Sequence, residues 1–143
     1  MAENAQPQWI HFLRWCLTPI VSGTAWFFGL SLGLLLRELF QSLCPVEDIV
    51  SEMCHASWFP FAEDLSLALG SASIALFAIL FACCMAPSQK LTVAYVVLAL
   101  GALCALTLAI ELQAWLEFFS ALIAGMATVV AVMRWHQSRV DAK

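Results

Sequence analysis

The sequence predicts an all-α polytopic membrane protein, a single domain of four transmembrane helices. Two observations carry this. Of 143 residues, 63% are hydrophobic and only 11% charged, against roughly half and about a quarter in soluble domains. The apolar residues also fall into windows of about 20 between charges, the length a helix needs to cross a hydrocarbon core of about 30 Å. The charge balance, 6 Lys+Arg against 10 Asp+Glu with no basic run, excludes nucleic-acid binding through phosphate neutralisation.

The first span is expected over about 19–36, between Arg14 and Arg37. Thr18-Pro19 reads as a helix start, because proline at the first helical position gives up no hydrogen bond. The loop that follows, about 38–64, contains Val46, Ile49, Val50 and Met53 at i, i+3, i+4 and i+7. That spacing predicts a short amphipathic helix in the first exoplasmic loop. Trp58-Phe59-Pro60-Phe61 reads as an interfacial aromatic anchor.

The second span is expected over about 65–86, closed by Pro87, and the third over about 91–110. The fourth, about 115–133, stops at Arg134. One helix from Lys90 to Arg134 would be about 65 Å long, twice the bilayer, so the chain must turn back near Glu111, Gln113 and Glu117. No glycine or proline marks the position of that turn. With four spans, Arg14, Lys90, Arg134, Arg139 and Lys143 share one side and Arg37 the other. By the positive-inside bias both termini are cytoplasmic, and a bacterial inner membrane is the expected location. The first apolar stretch lacks a small-x-small cleavage site, so no cleaved signal peptide is expected.

Candidate chemistry is sparse. Glu111 lies about 31 Å along a helix from Lys90, at the outer boundary. With Gln113, Glu117 and Arg37 it defines a candidate polar pocket, since ionisable groups at membrane depth are functional candidates by default. Two carboxylates in an exposed turn account for the same residues without function. Cys44 and Cys54 are a candidate disulfide in an oxidising compartment; a helix between them would hold them too far apart, so bridged and free states both stay open. Asp48, Glu52 and His55, at i, i+4, i+7, are the only metal-ligand spacing. Carboxylates on the wet side of an amphipathic helix are expected anyway, and no metal or other cofactor is assigned. Cys83 and Cys84 read as small lining residues.

Packing signals are clearer. Ala25, Gly29 and Gly33 repeat at i, i+4, i+8, as do Gly101, Ala105 and Ala109. Such faces let helices approach closely, within the bundle or against a partner helix. Glu63-Asp64-Leu65 opening a span, the hairpin Pro87-Ser88-Gln89-Lys90 and the segment Ile110-Glu111-Leu112-Gln113 make residues 64–135 resemble VanZ-like membrane proteins. The resemblance implies a cell-envelope role and carries over only Glu111 and Gln113. The family's early second-span histidine, and its Arg and Asp/Asn pattern after the E-L-Q segment, do not occur here.

With almost nothing ionisable inside the spans, the sequence favours a binding protein over a catalyst. The expected role is an accessory or assembly subunit of an inner-membrane complex, in contact with lipid and with another membrane protein or a second copy. An immunity protein against a pore-forming toxin is a variant of that reading. The alternative is an envelope protein or transporter with an outward-facing pocket around Glu111.

Overall fold

The computed structural model describes residues 8–51, 53–86 and 89–141. Glu52, Pro87, Ser88 and Lys143 lie outside the described residues. The elements are α1 (Gln8–Ser42), a 3-10 turn (Val46–Asp48), strands β1 (Ile49–Val50) and β2 (Met53–Cys54), then α2 (Phe59–Met85), α3 (Lys90–Leu112) and α4 (Trp115–Asp141). All four α-helices are long and apolar enough to cross a membrane. Short connections make them antiparallel neighbours. One end of the bundle, the termini end, carries the start of α1, the end of α2, the start of α3 and the end of α4; the other carries the β-hairpin and the α3–α4 turn.

Two boundaries differ from expectation. α1 begins at Gln8, so Pro19 lies inside the helix and does not open it. Proline gives up one backbone bond and crowds the carbonyl four residues earlier; membrane helices tolerate this where neighbouring groups re-satisfy the backbone. α2 begins at Phe59, six residues before the charge-free window, with Pro60 in its first turn. Proline is favoured there because its nitrogen has no intrahelical partner to lose. Glu63 and Asp64 are therefore helical, on the first two turns of α2.

The expected amphipathic helix over Val46, Ile49, Val50 and Met53 is absent. Those residues form the 3-10 turn and a tight antiparallel hairpin pairing Ile49 with Cys54 and Val50 with Met53. The physical reason is the disulfide. Ten residues of helix would hold Cys44 and Cys54 about 15 Å apart, whereas the bridge brings their Cα atoms to 5.9 Å. Bridge and helix exclude one another, and the hairpin is the structure compatible with the bridge. Both cysteines are buried with Ala56 and Phe59, with Phe40 packed alongside, so the bridge ties the end of α1 to the start of α2. The apolar side chains of Val46, Val50 and Met53 are left exposed.

α2 is the central helix, packing on α1, α3 and α4, while α3 and α4 also pack on each other. The α1–α2 seam is built on small residues. Gly29 lies against Ile74, and Gly33 lies against Gly70 and the Ser66 carbonyl. Ala25 and Ser66 have no exposed surface. Thus the Ala25, Gly29, Gly33 face is spent inside the bundle, on the Ser66, Gly70, Ile74 row of α2. On the other side of α2, Ile79, Cys83, Ala94, Val129 and Val132 form a core at the termini end, and Gly125 of α4 takes the Leu98 side chain of α3.

Candidate functional site

The expected polar pocket divides into three parts. Arg37 does not meet Glu111; its Nε donates to Glu63 Oε1 at 3.0 Å, an ion pair between the last turns of α1 and the first of α2. Each side chain is about two-fifths exposed (41% and 39%), so the pair is only partly shielded from solvent. Glu111 is exposed on the last turn of α3. Gln113 ends that helix in the left-handed conformation at φ 58°, and its Nε2 donates to the Ile110 carbonyl at 3.2 Å. It therefore closes its own helix end and marks the turn that no glycine or proline announces.

Glu117 is different. It occupies the first turn of α4, is half-buried, and lines a cavity of about 850 Å³. The cavity follows α3 along its whole length, from Gln89 to Leu112. It is walled by the first half of α1 (Trp15 to Trp26), the middle of α2 (Ser71 to Ile79) and the opening turns of α4 (Ala114 to Leu122). Its lining is almost wholly apolar, and Glu117 is the one ionisable carboxyl in it. Among the described residues that carboxyl has no ion-pair or hydrogen-bond partner.

The groove exists because of where the small residues fall. Gly23 on α1 and Gly101 on α3 line it, and a Cβ added at either meets nothing within 4 Å. Ala105 and Ala109 line it as well. Of the second small-residue face named from sequence, Gly101 therefore borders open space while Ala109 is buried; the first face is packed. Ser71 also reaches the groove; its hydroxyl lies 2.7 Å from that of Ser120 across the α2–α4 seam.

The metal arrangement foreseen on the loop is not formed as a helix face, since no helix is present. Asp48 and His55 meet through their backbones, the His55 N–H donating to the Asp48 carbonyl at 2.8 Å, and Glu52 is outside the described residues. Among the described residues no group of three or more His, Cys, Asp or Glu is placed to hold a metal ion. Cys83 is buried with its Sγ 3.5 Å from the Lys90 carbonyl, and Cys104 borders the groove. At the termini end, Lys90 Nζ sits 5.9 Å from the centre of the Trp135 ring, within cation–π range.

The groove was not foreseen from sequence. Its signal was available in part: Gly101, Ala105 and Ala109 mark a face of α3, but which small face is packed and which is open depends on helix rotation. Taken together, fold and site define a membrane-type four-helix bundle with a bilayer-long apolar groove. No family model, curated protein or solved structure matches the chain.

Proposed function

We propose that the protein works in a membrane by binding, and that the α3 groove receives the hydrocarbon chain of a lipid-like molecule. One observation carries this reading: the groove is almost wholly apolar, is walled by α1, α2 and α4, and follows α3 for roughly 35 Å, the shape an extended hydrocarbon chain fills. The groove's volume also falls within the usual range for small-ligand sites, about 300–1,000 Å³.

The test is native mass spectrometry of the detergent-purified chain beside Gly101→Phe, which puts a ring into the open space without touching a packed seam. The wild type should retain a chain-bearing lipid at fixed stoichiometry, and the variant should lose it while keeping its helical content. Equal retention would refute the reading.

A second reading, an accessory or assembly subunit of a larger membrane complex, is favoured by the open glycines themselves. A partner helix can lie across the mouth of the groove over Gly23 and Gly101. A chain that remains monomeric in mild detergent, with nothing cross-linked through a cysteine at position 23 or 101, would sink it. The VanZ-like resemblance carries over only Glu111 and Gln113, which lie outside the groove, so a cell-envelope role through those residues is a separate proposal. Glu111→Gln, expressed normally and without phenotype, would remove it.

A further inference from the structure

Resting on the reading that the groove binds a hydrocarbon chain, we infer that its ligand carries an amine or other cationic hydrogen-bond donor as head group, held by Glu117 at the hairpin end. Three observations converge on that chemistry. Glu117 lines the groove, half-buried, with no basic partner among the described residues. It stands in the first turn of α4, where the positive end of the helix dipole favours a negative charge.

The third observation concerns the hydroxyls one turn deeper. Ser71 donates to the Ala68 carbonyl at 3.0 Å, Ser120 donates to the Glu117 carbonyl at 2.9 Å, and the two hydroxyl oxygens are 2.7 Å apart. Each hydroxyl has one hydrogen, so the three contacts share two hydrogens within the protein, and each oxygen keeps lone pairs that can accept. Beside Glu117, the Ser71 hydroxyl also lines the groove and can accept. A phosphate or carboxylate head would meet the Glu117 carboxyl; an alcohol can offer it one hydrogen; an ammonium offers three and a positive charge. A charge-assisted bond to a carboxylate is about twice as strong as a neutral one, and low-dielectric surroundings raise its worth further.

The experiment titrates the full-length chain in detergent, by native mass spectrometry, with dodecylamine, dodecanol and dodecanoate, which share one chain and differ in head group. The wild type should bind the amine at least tenfold more tightly than the alcohol and more tightly still than the carboxylate. Glu117→Gln should bring the amine down to the level of the alcohol without weakening the alcohol, and Gly101→Phe should weaken all three. If the three chains bind the wild type equally, the inference about the head group is overturned and the groove reading stands. If none binds, or if Gly101→Phe changes nothing, the groove reading falls with it. The wild-type ranking needs no variant, so a folding defect in Glu117→Gln leaves the decision intact.

Discussion

Six glycines sort into packed and open positions, and replacing them with alanine should reproduce that division as a stability ranking. A Cβ at Gly29 would meet the Ile74 side chain and stand 2.6 Å from the Ile74 nitrogen and 2.8 Å from its Cα. Relaxed contact is about 3.5–4.0 Å, so α1 and α2 must separate locally by about 1 Å. A gap of that size forfeits a quarter to a half of the dispersion attraction across it, and overpacking of this kind costs about 1–3 kcal/mol. Alanine returns up to about 1 kcal/mol of helix propensity. Gly29→Ala should therefore destabilise by about 1–2 kcal/mol. At Gly33 and Gly70 the nearest backbone atoms are 3.2 and 3.1 Å away, a few tenths of an ångström too close, and the propensity gain should roughly cancel the strain. At Gly23 and Gly101 nothing lies within 4 Å, so alanine should be neutral or stabilising. Reversible unfolding in mixed micelles, followed by circular dichroism, measures the series. If Gly29→Ala is as stable as Gly23→Ala, or if Gly101→Ala is the worst of the set, the assignment of packed and open faces is wrong.

Three further outcomes follow from the same geometry. Alkylation of the unfolded, unreduced chain should add four labels and alkylation after reduction six, because Cys44 and Cys54 are bridged and the thiols of Cys16, Cys83, Cys84 and Cys104 are in no disulfide; six without reductant would refute the bridge. Replacing both bridged cysteines by serine should cost about 2–3 kcal/mol from loop-closure entropy in the unfolded chain, read in the same unfolding assay. Arg37→Gln should cost at most about 1 kcal/mol, since the pair with Glu63 is partly exposed, and the exchange Arg37→Glu with Glu63→Arg should restore what either single reversal loses.

The number and position of the helices were legible in the sequence because four apolar windows of bilayer-spanning length recur between charged residues. The shape of the loop was not. Val46, Ile49, Val50 and Met53 have a helical period, but two cysteines ten residues apart impose a closure that no helix of that length meets, and a covalent constraint outweighs a period. The α3–α4 turn was invisible for a related reason: Gln113 takes the left-handed conformation that glycine usually signals. The site was legible only in its parts. Glu117 was named with Glu111 and Gln113 because the three are neighbours in sequence, yet helix rotation turns Glu117 alone into the groove. Arg37 was assigned to that cluster as the lone basic residue expected on its side, while Glu63, inside α2 by virtue of its early start, stands closer.

The placement of small residues explains why the groove lies where it does and what can be selective about it. Lipid tails are as apolar as a leucine-rich helix, so helices in a bilayer associate by close packing and hydrogen bonding. Here the close approaches are concentrated on α2 and α4: Gly29, Gly33 and Gly70 join α1 to α2, and Gly125 receives Leu98. α3 is left with Gly101 facing open space. The same absence of a hydrophobic driving force applies to a ligand. Moving a hydrocarbon chain from the bilayer into an apolar groove exchanges one apolar environment for another, so chain length alone gives little selectivity there. In detergent, where the alternative is a micelle or water, a longer chain is retained longer. Selectivity inside a bilayer must come from the polar end, where an unpartnered carboxyl gains a donor. Lengthening the chain of an amine ligand should therefore tighten retention in detergent and change it little in lipid nanodiscs, whereas exchanging the amine for an alcohol should weaken binding in both. A chain-length dependence as steep in nanodiscs as in detergent would mean that the groove is not in contact with the hydrocarbon of the membrane at all.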